Sequence, residues 1–282
     1  MALSSENLVG YLRAEFSKAA RRRVWLFFVQ LAIAVPAAIS VVVSDAILTY
    51  ILALIGVALL IFWWALNASY LAARNAAHSA RRAALLSGGL VEQFSPSEIM
   101  SLKSRLTVSE VTAKSFEKTD YYASKLPIGA SRLGELLEES AFYSADLQRA
   151  SATCMLVIIV IFTAIATLAA VAAVPFFQRD TTLLIVRIGL AVLVFAMSSD
   201  LLGAYVAHKS AARAIEEVRA RLITADRSGY PFPDVLLAMM DYSSAVESAP
   251  ESVPFAYRFT EKDLNQRWAE YQNDREAARA AA

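Results

Sequence analysis

The chain has 282 residues, of which 57% are hydrophobic and 19% charged, with 27 Lys and Arg against 26 Asp and Glu. A net charge of +1 gives no electrostatic footprint for a nucleic-acid polymer, and a mean hydropathy of +0.45 is too apolar for an ordinary soluble domain. The single cysteine, Cys154, excludes an intrachain disulfide and reads as a packing residue at a membrane edge.

Residues 1–23 read as a cytosolic N-terminal segment ending in Arg21, Arg22 and Arg23. They do not resemble a cleavable signal peptide: the first apolar run begins only after those arginines, is long, and lacks an Ala-x-Ala site. That run covers residues 24–43, and a second covers 46–66 after a link of Ser44 and Asp45 alone. A helix rising about 1.5 Å per residue needs about 20 residues to cross a hydrocarbon core of about 30 Å. Both runs meet that length, so residues 24–66 are predicted to form a transmembrane hairpin. Pro36 is expected to bend the first span or end it early.

Residues 67–152 form a predicted cytosolic helical segment. Alanine- and arginine-rich sequence continues the second span through residues 67–86, until Gly88 and Gly89 break it. Ser95, Pro96 and Glu98 have the spacing of a capping box with proline in the first turn, opening a short helix toward Leu106. Residues 107–110 open another. A turn region containing Asp120, Tyr121, Tyr122, Pro127 and Gly129 precedes a stem over 131–152, with Leu133, Leu136, Leu137 and Ala141 on one face.

Residues 153–207 form the second predicted hairpin, with spans 154–177 and 183–207 around a link at 178–182. Residues 208–282 are a cytosolic helical C-terminal segment. In it Ala211, Ile215, Val218 and Leu222 share a face, and breaks fall at Gly229–Pro233, Pro250 and Pro254. Helices are expected at 234–246 and 260–281.

Orientation follows from the basic residues. Arg21–Arg23, Arg74, Arg81, Arg82, Arg149, Lys209, Arg213, Arg219 and Arg221 flank the spans on one side, while the hairpin links offer only Arg179. Trp25, Trp63, Trp64 and Tyr205 mark the inner interface, and Phe176 and Phe177 the outer one. The predicted fold is all-α: an integral, multi-pass membrane protein with four transmembrane helices in two hairpins. Helical cytosolic stems form a cytosolic domain, and both termini are cytoplasmic.

Asp200 is the costliest residue in the spans, at up to about 3 kcal/mol, and lies beside Ser199. It reads either as a pore-lining or gating residue, with Ser199 and Arg187 as companions, or as a polar clamp between helices. Arg187 lies near the outer end, where its stem can snorkel to the interface. Ala166 with Ala170, and Ala169 with Ala173, are small residues spaced for close helix packing in lipid. Arg74, Arg81, Arg82, Lys125, Arg132 and Arg149 are candidate contacts for a phosphorylated ligand, although the topology rule accounts for most of them. His78 and His208 lack the Cys or acid companions of a metal site. Gly129 and Gly134 have phosphate-loop spacing, but Glu135 and Leu136 stand where Lys and Ser/Thr are needed. Glu138 and Glu139 read as a solvated helix face. No nucleophile elbow, HExxH or dinucleotide fingerprint occurs, so neither catalysis, a metal nor a cofactor is expected.

Residues 120–143, which begin Asp120-Tyr121-Tyr122-Ala123, lead through a stem into the third span. Asp241-Tyr242, Pro250, Pro254, Tyr257 and Leu264 to Trp268 close the chain. With paired spans around a cytosolic middle, this layout resembles the four-transmembrane (S-4TM) pore-forming effectors of bacterial nucleotide-second-messenger defence operons. The family's Asp-Trp-Tyr-Pro type sequence stands here as Asp120-Tyr121-Tyr122-Ala123. The resemblance implies a homo-oligomeric effector that permeabilises the inner membrane on a cytosolic nucleotide signal. It carries over no ligand-binding or catalytic residue. A membrane-anchored adaptor that binds a protein partner is the competing reading. A small transporter is disfavoured, since intramembrane polar groups do not cluster.

Overall fold

A computed structural model describes residues 3–42, 45–90, 93–173, 201–253 and 256–281. Among them are eight helices and no strand: α1 (Ser5–Val42), α2 (Ala46–Gly89), α3 (Pro96–Arg105), α4 (Glu110–Lys114), α5 (Ala130–Ala173), α6 (Leu201–Asp226), α7 (Phe232–Ser248) and α8 (Ala256–Ala281). The chain divides into two compact units. One comprises Met1–Ser17, Ala73–Ala152 and Ala207–Ala282, the other Lys18–Ala72 and Thr153–Val206.

The first unit is a helical bundle built on the predicted stem faces. Leu133, Leu136, Leu137 and Ala141 of α5 meet Ile215, Val218 and Leu222 of α6, and α7 adds Val235, Ala238, Met239 and Tyr242. A second cluster joins Leu8, Val9 and Leu12 of α1 to Ala80 and Ala84 of α2, Leu102 of α3 and Ala113 of α4. The start of α1 is therefore a further stem, with Leu8 and Leu12 one turn apart.

The short helices start where side-chain caps allow. Ser95 accepts a hydrogen bond from the Glu98 amide with Pro96 in the first turn, and Ser109 accepts one from Thr112. The carboxylate of Glu15, fully buried, takes the Thr107 and Val108 amides and the Thr107 hydroxyl, fixing the α3–α4 connection. α2 ends at Gly89, whose carbonyl accepts from the Gly129 amide at 2.8 Å. A Cβ on Gly89 would come within 2.7 Å of the Leu133 backbone, so only glycine permits that approach of α2 to α5. α6 closes through Gly229 (φ 72°) and Tyr230 (φ 54°), with the Tyr230 amide reaching the Ala225 carbonyl at 2.8 Å. α7 extends two residues beyond the predicted 234–246 at each end, and α8 starts four residues before the predicted 260.

In the second unit, Leu26 and Val29 of α1 are buried and Arg22 donates to the Ser69 carbonyl at 2.6 Å. Pro36 lies inside α1, which continues to Val42 and so does not end there. Two helices among the described residues are long and apolar enough to cross a membrane, by length and composition. They are α2, at a mean hydropathy of 2.6, and Ala130–Ala164 within α5, at 1.8. The predicted link at 178–182 and the fourth span up to residue 200 lie outside the described residues.

Candidate functional site

The most concentrated chemistry in the first unit lies between α5 and α8. Glu135, Glu138, Glu139 and Phe142 are spaced i, i+3, i+4 and i+7 on α5, which places them in one stripe that Asp146 extends. α8 presents Leu264, Trp268, Tyr271, Arg275 and Arg279 at the same helical period. The two stripes run antiparallel. Arg267 pairs with Asp146 at 2.6 Å, Arg275 with Glu138 at 3.0 Å and Glu135 at 3.3 Å, and Arg279 with Glu135 at 2.8 Å. Arg279 also reaches Asp226 at the end of α6, at 2.6 Å.

Aromatic contacts fill the middle of this seam. Phe142 and Trp268 lie 5.2 Å apart, Trp268 and Tyr271 5.5 Å apart, and the Arg219 guanidinium sits 4.9 Å from both the Phe142 and Tyr271 rings. Tyr143 donates to the Asn265 side chain at 2.9 Å. Among the described side chains of α8, Leu264 and Trp268 are the apolar ones that become buried.

The glutamates also hold the turn region of residues 120–129. Glu139 accepts from the Ala123 amide at 2.9 Å and Glu135 from the Ser124 hydroxyl at 2.5 Å, while Arg132 donates to the Leu126 carbonyl at 2.7 Å. Glu135 thus takes the turn on one oxygen and α8 on the other. Glu138 is fully buried and Glu139 nearly so, which overturns the solvated face expected for them. The reason is that α8 supplies the cationic partners that make carboxylate burial tolerable. Burial pushes the Glu139 carboxyl up to about 7, opposed by the Ala123 amide and Arg275 and reinforced by Glu135. Burial, and then the Glu138 carboxylate, push the hydroxyls of Tyr230 and Tyr271 upward. What these groups accomplish together is recognition of a basic, aromatic helix by an acidic, aromatic one.

Signals for this seam were present in the sequence. The Glu stripe of α5 and the Arg stripe of α8 each have a clean helical period, but 144 residues separate Glu135 from Arg279. Nothing short of the tertiary fold pairs them.

The cations named as ligand contacts are dispersed over internal partners. Arg74 donates to the carbonyls of Glu247 (2.7 Å) and Ala249 (2.5 Å), capping the C-terminus of α7. Arg82 pairs with the Glu247 carboxylate, and Arg81 lies 4.7 Å over the Phe16 ring. Arg149 pairs with Asp146 and Glu216, and Lys125 is exposed on the turn. Arg74, Arg81 and Arg82 lie on α2, and Arg132 and Arg149 on α5. Asp200, Ser199 and Arg187 lie outside the described residues. Ala166, Ala169, Ala170 and Ala173 fall in the last turns of α5, their side chains likewise outside what is described.

The histidines are interior residues. His208 is fully buried with Nδ1 2.5 Å from the Gln148 side-chain oxygen, and His78 packs edge-on against Phe16 at 5.3 Å. Burial first, then Arg81, Arg74 and Arg82, lower the His78 pKa to about 2, so its ring stays neutral. Among the described residues no three His, Cys, Asp or Glu side chains converge as a metal site.

Fold and site together define an all-helical chain that carries membrane-length helices and an ion-clasped helical bundle. No family model, curated protein or solved structure matches it.

Proposed function

We propose that this chain is a non-enzymatic membrane effector: a homo-oligomer in a bacterial inner membrane, with four spans and both termini in the cytoplasm. It opens a conducting path on a cytosolic signal, a nucleotide second messenger by the family resemblance. The observation that carries the reading is the split character of α2. None of residues 46–72 is buried, although Ile47, Leu54, Leu60 and Trp64 are among them, whereas Ala73 to Gly89 are largely buried. Apolar surface left in water costs about 25 cal/mol per Å², so such a stretch needs an apolar covering along its length. A bilayer supplies one for about 20 residues.

The experiment is dye uptake and depolarisation in cells expressing equal membrane amounts of native protein, Asp200→Asn and Asp200→Leu. A pore role predicts native permeabilisation and an altered response in both variants. Native protein that inserts but leaves the membrane sealed would discard the pore.

The adaptor reading has one observation in its favour. Arg74, Arg82, Arg132 and Arg149 are committed to partners within the chain. A protein-binding anchor needs no anion pocket. It predicts the sealed outcome of the same experiment, with normal insertion.

A further inference from the structure

We propose that α8 is an exchangeable element: the acidic, aromatic face of α5 and α6 beneath it is a docking surface for the α8 of a second copy. Neighbouring chains would be joined by swapped C-terminal helices. The proposal deepens the oligomeric reading above and rests on it.

The contacts of α8 differ in kind from those of α7. α7 is built into the main core through Val235, Ala238, Met239, Tyr242 and Val246, and cannot leave without dismantling it. Among its described side chains α8 buries Leu264 and Trp268, packs Tyr271 and bonds Asn265 beside them, and is clasped through Arg267, Arg275 and Arg279. The guanidiniums of Arg267 and Arg279 are partly exposed, whereas the pairing of Arg275 with Glu138 and Glu135 is buried, so that pairing is the contact an exchanged helix has to restore.

The connector marks what moves. Arg74 fixes the Ala249 carbonyl, Gln148 donates to the Pro250 carbonyl at 3.2 Å, and the Val253 amide donates to the Ser151 hydroxyl at 3.0 Å. The chain is therefore pinned as far as Val253, and α8 alone is the separable piece.

The face left behind selects the occupant. Glu135 and Glu138 are buried carboxylates whose cationic partners come from α8, and Phe142 loses its cover with Trp268. Two desolvated like charges without a cation are strongly unfavourable, so the opened face demands a helix with the same arginine and aromatic spacing. A second copy carries that helix. The contacts made in exchange are the same as those made within one chain. In a membrane oligomer the neighbour's α8 is also held at high effective concentration.

The test uses full-length protein in membranes with Cys154→Ser as background and a short bismaleimide. Asn265 is exposed and Tyr143 half-buried, on opposite sides of the seam and in contact. Two differently tagged chains are coexpressed, one with Tyr143→Cys and the other with Asn265→Cys. Exchange predicts that the band shifts from 30.7 kDa to twice that mass and carries both tags. Val111→Cys paired with Asn265→Cys supplies the background, since Val111 is 81% exposed on α4. A chain bearing both Tyr143→Cys and Asn265→Cys that links only within itself, with no mixed product above background, overturns the exchange. Native mass in detergent separates the two levels: an oligomer without mixed product sinks exchange alone, whereas a monomer sinks the assembly reading as well.

Discussion

Burial pushes the carboxyl of Glu139 up to about 7, well above its ordinary value of 4.5. Arg275 and Lys118 favour its charged form, while Glu135 on the same helix opposes it. Between pH 4.5 and about 7 the folded state keeps a proton that the unfolded chain has released. The stabilisation from this group is therefore fully present below pH 4.5 and is lost as pH rises through about 7. Glu139→Gln keeps an acceptor for the Ala123 amide and removes the titration. The variant should melt above the native protein at pH 8 and close to it at pH 5 in thermal scans of detergent-solubilised protein. A lower melting temperature at pH 8 would mean that the charged carboxylate, paired with Arg275, is the stabilising form.

Gly134 illustrates how a motif-like spacing can have a packing cause. A Cβ there would lie 2.3 Å from Cδ1 of Tyr230, and Tyr230 is fixed by its amide to Ala225 and its hydroxyl to Glu138. The glycine makes room for a ring, and the resemblance to a phosphate loop is incidental. Gly134→Ala should cost about 1–3 kcal/mol by overpacking. Chemical denaturation measures it, and the added cost should fall in a Tyr230→Ala background, where the clash is gone.

At the scale of elements, α8 concentrates its attachment in a few side chains. Trp268 is 4% exposed between Phe142 and Tyr271, so Trp268→Ala should remove about 3–5 kcal/mol from docking of the helix. Arg275→Ala strands Glu138 without its cation and should cost a similar amount, again about 3–5 kcal/mol. Arg267, 45% exposed, should contribute about 1 kcal/mol or less. Amide hydrogen exchange along residues 256–281 reads all three, and equal effects would mean that the helix is held by something other than the buried seam. The stems were legible beforehand because Leu133, Leu136, Leu137, Ile215, Val218 and Leu222 announce their faces by period alone. The α5–α8 seam was not, because a glutamate stripe looks solvated until its arginines are found far along the chain. The start of α1 escaped for a related reason. Its apolar spacing at Leu8 and Leu12 is plain, but the long apolar run that follows dominates any reading of that region.

For the whole molecule, sidedness is the property on which the proposed function depends. A cytosolic signal can act only if the helical bundle faces the cytoplasm, which is what the clustering of arginines next to the predicted spans implies. The bundle offers an exposed reporter position in Val111, while Ser44 falls in the sequence between the two apolar runs predicted as the first hairpin. In a Cys154→Ser background, Val111→Cys should react with a membrane-impermeant maleimide only after the inner membrane is opened. Ser44→Cys should react in intact spheroplasts. Val111 is 81% exposed and belongs to none of the core clusters, so its labelling reports side and not unfolding. Reaction of Val111→Cys in intact spheroplasts would put the bundle outside. A cytosolic messenger could then not be the trigger, whatever the spans conduct. Protection of both positions would instead place the Ser44 link on the cytoplasmic side or within the bilayer, and the first hairpin would have to be withdrawn.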